Sequence, residues 1–166
     1  MTDFDQPDDL DRLTALWRNE ETNEAGRLMY QRVPDGDRPA WAARALRVVI
    51  DHSEVDATPF RRLLRATGHP RKWRKALAEY DKIDTETEDL YEECAAGLDE
   101  RQQVYAWILS LAELVVKVTH NATSPEEEFD EESGWWIAVH LRWFIEHWDD
   151  KAFSRMAWDT LCDSVS

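Results

Sequence analysis

Apolar residues recur at three- and four-residue spacing along most of the chain, and no stretch alternates with a period of two in β-branched residues. The pattern therefore predicts helices and no strand. Leu10, Leu13, Leu16 and Trp17 make the first stripe, with Asp8 or Asp9 as its cap. A second short helix covers about 23–32. Pro34-Asp35-Gly36-Asp37 has turn composition. Pro39 then takes a first-turn position, where its missing N–H has no helical partner to lose. The helix it opens turns Trp41, Ala42, Ala45, Leu46, Val49 and Ile50 inward and ends near His52. Thr58 and Pro59 start another, closed by Gly68 as a left-handed C-terminal residue.

From Pro70, Trp73, Leu77, Tyr80, Asp84, Thr87, Tyr91, Cys94 and Leu98 keep heptad-like spacing, with Ala76, Ile83 and Leu90 beside them. One continuous helix over 70–97 is favoured over a break at Thr85, where Thr85 and Glu88 have the spacing of a capping box. Leu98, Asp99 and Gln102 read as staple, cap and reciprocal partner of the next helix. It runs to about His120 and buries a face containing Val104, Trp107, Ile108, Leu111, Leu114, Val115 and Val118. Ser133 caps a helix beginning at Trp135, and Asp149 or Asp150 separates it from a last helix bearing Phe153, Met156, Ala157 and Leu161. The starts are unevenly spaced, which disfavours a strict repeat array. The expected fold is all-α: a single compact domain over 1–166 of seven to eight mostly antiparallel helices, as an irregular bundle or a short helical-pair stack. A flexible acidic N-terminus (1–7) and an exposed acidic loop (121–133) complete it.

Charge narrows the partner. The 166 residues carry 35 acids and 20 bases, a net charge of −15. That balance disfavours nucleic-acid phosphates and anionic membranes and favours a basic protein. No apolar stretch reaches membrane-spanning length, and the longest is interrupted by Glu113 and Lys117. Cys94 and Cys162 belong to no paired motif and read as reduced and semi-buried. The acidic N-terminus has no signal-peptide pattern, so the expected location is cytoplasmic. No motif calls for a cofactor.

The most distinctive feature follows. Glu126-Glu127-Glu128-Phe129-Asp130-Glu131-Glu132 holds six acids in seven residues, and five of the nine tryptophans fall within the last 32 residues. An acidic run cannot pack in a core, so it must be solvated, and an adjacent aromatic can serve as an anchor. Glu126, Glu127, Glu128, Phe129, Asp130, Glu131, Glu132 and Trp135 are the expected partner-binding set, while Trp136 and Trp143 are expected in the core. Between Ala57 and Ala78 lie seven bases and no acid. Arg61, Arg62 and Arg65 share one helix face, and Arg71, Arg74 and Lys75 another, around a Gly-His-Pro turn. The plainest account is a surface that is solvated or paired with nearby acids; contact with an acidic protein or, less readily, nucleic acid is the functional alternative. On one helix Trp136, His140, Trp143 and His147 share a face, and His120, His140 and His147 are the candidate ligands or proton carriers. Residues seven apart lie about 10 Å apart along a helix axis, so hydrogen-bonded core histidines are expected instead. GxSxG, HExxH and phosphate-binding glycine loops are absent. The reading is a non-catalytic interaction or adaptor module for a basic protein, with a small helical metal-dependent or acid/base enzyme as the alternative.

Overall fold

The computed structural model describes residues 6–93, 97–123 and 133–165 and is all-α. Its eight α-helices are α1 (Gln6–Arg18), α2 (Thr22–Arg32), α3 (Arg38–His52), α4 (Arg61–Ala66), α5 (Trp73–Glu93), α6 (Glu100–Thr123), α7 (Ser133–Trp148) and α8 (Lys151–Cys162). Single 3-10 turns at Asp35–Asp37, Thr58–Phe60 and Pro70–Lys72 lead into α3, α4 and α5.

Local chemistry sets most of these ends. Asp99 and Gln102 form the expected capping box: each backbone N–H donates to the other's side-chain oxygen at 2.9 Å. Asp150 caps α8, accepting from the N–H groups of Ala152 and Phe153 at 2.9 and 3.2 Å. Gly68 is left-handed at φ 82°, which lets the chain turn between α4 and α5. At the α4 entrance the organising residue is Asp56, two residues before the expected Thr58. Its carboxylate accepts from both the N–H and hydroxyl of Thr58, which holds its pKa below the ordinary value. α1 starts at Gln6, so Asp8 and Asp9 fall inside the helix, and residues 6 and 7 of the expected flexible N-terminus are helical. Residues 1–5 lie outside the described residues.

α5 is continuous through Thr85–Glu88, as favoured from the sequence. Its buried stripe is rotated, however: Ala76, Ile83 and Thr87 are buried, while Asp84 is exposed. α6 extends to Thr123, so the first three positions of the loop expected at 121–133 are helical. α3, α6 and α7 pack around a common core that includes Trp41, Leu46, Ile108, Leu111, Ile137 and Phe144. α5 covers α6, α2 covers α7 and α8 covers α3.

Neighbour directions follow from paired residues. Trp73 meets His120, Tyr80 meets Glu113 and Thr87 meets Tyr105, so α5 and α6 are antiparallel. Glu100 meets His147 and Ser110 meets His140, so α6 and α7 are antiparallel too. α8 returns along α3: the buried Trp41 indole donates to Leu161 O at 2.9 Å, and His52 packs on Phe153 at the other end. No helix among the described residues is long and apolar enough to cross a membrane.

Candidate functional site

Two glycines determine which aromatic residues of α7 reach the surface. Gly134 lies against the Tyr30 ring, and a Cβ on Gly26 would stand 2.7 Å from Trp135 O. α2 therefore approaches α7 closely at its first turn. Trp135 is buried beneath this crossing, 8 % exposed, stacked on Trp136 at 4.8 Å and covered by the Arg27 guanidinium at 4.8 Å from its ring centre. Trp143 is 41 % exposed. The sequence expectation is thus inverted for this pair: Trp135 is held in the fold and Trp143 is the accessible anchor. Trp136, His140 and Trp143 share a face as expected, with Trp136–Trp143 and His140–Trp143 ring centres 6.4 and 4.5 Å apart.

Trp143 stands at a groove of about 530 Å³ between α7 and the α1–α2 turn. Glu20, Glu21 and Glu24 line its opposite wall, and Glu146 adjoins Trp143. Glu20 adopts φ 61°, a conformation uncommon outside glycine, and so bends the chain sharply between the two helices. Arg142 is turned inward: it donates to Trp17 O at 3.2 Å, lies 4.9 Å over the Trp17 ring and meets Glu146 at 3.4 Å. Glu146 is the only groove carboxylate with an ion pair among the described residues. Glu20, Glu21 and Glu24 have none. Glu126, Glu127, Glu128, Phe129, Asp130, Glu131 and Glu132 lie outside the described residues; the segment ends where α7 begins.

The basic face is exposed. Arg61, Arg62, Arg65, Arg71, Lys72, Arg74 and Lys75 are all exposed. None makes an ion pair within 4 Å among the described residues, although the charge of Arg61 helps to lower the Asp56 pKa. Arg74 lies 5.3 Å from the Trp73 ring centre.

The three candidate histidines are strung along α6 rather than gathered. His147 Nε2 lies 3.5 Å from Glu100 at the N-terminal end, His140 meets Ser110 at the middle, and His120 lies near the C-terminal end against Trp73. Ten residues of helix separate each station, about 15 Å, so they cannot share one ion. No group of three or more metal-ligating side chains occurs among the described residues. Cys162 is half-buried and unbridged, and burial with Asp159 nearby pushes its thiol pKa up to about 12, leaving it protonated and unreactive at neutral pH. Cys94 lies outside the described residues.

The sequence reading missed Ser110. Its hydroxyl lies 3.2 Å from His140 Nε2 and opens on a cleft of about 650 Å³ between α5 and α6. Tyr80 lines that cleft and donates to Glu113 Oε2 at 3.3 Å. Burial, then the charges of Glu113 and Asp84, push the Tyr80 pKa up, so the phenol stays protonated. The only early signal was a serine at a position of α6 flanked by leucines; its partner lies 30 residues away. No family model matches the chain, and no curated protein or solved structure matches it.

Proposed function

We propose that the protein is an interaction module that holds a Lys- or Arg-rich segment of a partner protein against α7. The observation that carries this reading is Trp143, exposed at a groove whose far wall presents the unpaired carboxylates Glu20, Glu21 and Glu24. An indole face attracts a cationic side chain by about 0.5–2 kcal/mol, depending on how far the pair is desolvated. Adjacent carboxylates add charge-assisted hydrogen bonds. The acidic run Glu126–Glu132 supports the same reading from the sequence: it is followed at once by Ser133, the first residue of α7, ten residues and about 15 Å of helix axis before Trp143. A net charge of −15 would steer a basic segment toward this surface. Trp135 would support the surface from beneath it. A cytoplasmic setting suits a chain whose Cys162 is unbridged.

The test is titration of a fluorescently labelled octa-arginine peptide into the full chain at low and physiological salt. Trp143→Ala should weaken binding at least tenfold. Replacing Glu20, Glu21 and Glu24 with Gln, or the six acids of 126–132 with their amides, should weaken it and flatten its salt dependence. Wild-type affinity in all three variants at low salt would overturn the reading.

A further inference from the structure

We propose that Ser110 and His140 form a nucleophile–base pair that takes an acyl group from an ester carrying a cationic substituent. This activity goes beyond partner capture and uses the cleft between α5 and α6, not the groove at the α1–α2 turn.

The hydrogen bonds fix the roles. His140 Nδ1 lies 2.9 Å from Trp136 O, and a carbonyl can only accept, so Nδ1 carries the proton. The Nε2 lone pair is therefore left facing Ser110, whose hydroxyl donates across 3.2 Å. A hydroxyl, an imidazole that accepts from it and a third group that orients the imidazole are the parts of an activated serine. Here the third group is a backbone carbonyl. His140 is only 6 % exposed and is flanked by the Trp136 and Trp143 rings, an environment that favours the neutral base. Ser110 is exposed to the cleft, so the nucleophile is accessible while its base is shielded.

The cleft sets the substrate class. Asp84, Glu88 and Glu113 line it together with the neutral phenol of Tyr80. Glu113 is engaged by Lys117 at 3.2 Å and by Tyr80, so Asp84 and Glu88 are the carboxylates that disfavour an anionic ester and suit an amine or guanidine. The single proton of the Tyr80 phenol is donated to Glu113, so Tyr80 adds no further charge to the cleft. In the reaction, the Ser110 proton passes to Nε2 as Oγ bonds to the carbonyl carbon. The tetrahedral intermediate then breaks its bond to the alkoxide, which takes that proton and leaves as the alcohol. Water repeats the sequence on the acyl-serine, releasing the carboxylic acid and restoring Ser110.

The experiment mixes the full chain with the p-nitrophenyl ester of Nα-acetyl-lysine, using p-nitrophenyl acetate as the neutral control. It follows p-nitrophenolate release and locates the acyl group by peptide mass mapping. The expected result is acylation of Ser110, at least tenfold faster with the lysine ester. Ser110→Ala should abolish it, and His140→Gln should slow it by about 100-fold or more. Asp84→Asn with Glu88→Gln should bring the two esters to similar rates. Release by Ser110→Ala at the wild-type rate, acyl groups found only on other residues, or equal rates for the two esters in the wild type would each overturn the proposal. Ser110→Ala sits at an exposed helical position and loses one hydrogen bond, to His140, so it should fold with a modest loss of stability, and the test stands even if His140→Gln does not fold. Because the octa-arginine titration reads a different groove, loss of peptide binding by Trp143→Ala has no bearing on this result.

Discussion

Gly134 of α7 rests against the face of the Tyr30 ring of α2, with no room for a methyl group between them. Alanine is ordinarily the better helix former by roughly 0.5–1 kcal/mol. Here overpacking should reverse that preference, and Gly134→Ala should destabilise the protein by about 1–3 kcal/mol. Gly36, which has nothing within 4 Å of an added Cβ, is the control. Thermal melts should show a lowered midpoint for Gly134→Ala and little change for Gly36→Ala; equal midpoints would mean that α2 and α7 are not in close contact.

The same crossing separates two tryptophans that look alike in the sequence. Trp135→Ala removes a buried ring and should cost about 3–5 kcal/mol in denaturant unfolding. Trp143→Ala removes a ring that is 41 % exposed and should cost clearly less than Trp135→Ala while reducing peptide capture. A Trp143→Ala protein that melts as early as Trp135→Ala would show that Trp143 belongs to the core.

Which of these rings is buried was not legible in the sequence, although their shared geometry was. Spacing correctly placed Trp136, His140 and Trp143 on one face. It could not say which face α7 turns outward, because the helix is apolar nearly all round: Ile137, Ala138, Val139, Leu141 and Phe144 are also buried. The answer depends on α2, whose approach is set by glycines at 26 and 134. Rotation of the α5 stripe has a similar origin. Its heptad-like positions include Asp84, and the core takes the neighbouring small and branched residues Ala76 and Ile83 instead. Short-range chemistry was more readable, as the Asp99–Gln102 box and the Asp150 cap demonstrate. Ser110 and His140 meet only through tertiary packing, and no local pattern joins them.

The two caps give a direct measure of how much those ends contribute. Asp99→Ala and Asp150→Ala should each cost about 1 kcal/mol. Asp150 should cost more, since its carboxylate also lies 3.5 Å from His52 Nε2. Chemical denaturation of both variants alongside Gln102→Ala checks this, and a neutral Asp150→Ala would mean that α8 is held by Trp41 and the core alone.

His140 makes stability depend on pH in a predictable direction. Burial lowers its pKa below the ordinary 6.5, partly offset by its hydrogen bond to Trp136 O. The unfolded chain therefore binds a proton that the folded chain refuses. This stability is fully present above the unfolded value and declines as pH falls from there toward the folded pKa, by at most about 1.4 kcal/mol per pH unit. His140→Gln should flatten the stability profile between pH 7 and 5 relative to wild type. Parallel profiles for the two proteins in urea unfolding would show that His140 titrates alike in both states.

The unpaired basic face makes the opposite prediction about stability. Because Arg71, Arg74 and Lys75 are exposed and make no ion pair among the described residues, replacing them together with Gln removes only the exposed Arg74 contact with the Trp73 ring. It does raise the net negative charge of a chain already at −15, so a small loss is expected at low ionic strength through self-repulsion. Salt should erase that loss, since surface charges separated by more than about 8–10 Å are largely screened at physiological ionic strength. A direct structural pair would behave differently, with a deficit that persists in high salt. Thermal melts of the triple variant at low and high salt discriminate the two: convergence with wild type in salt is expected, and a persistent deficit would show that these cations are engaged in the fold.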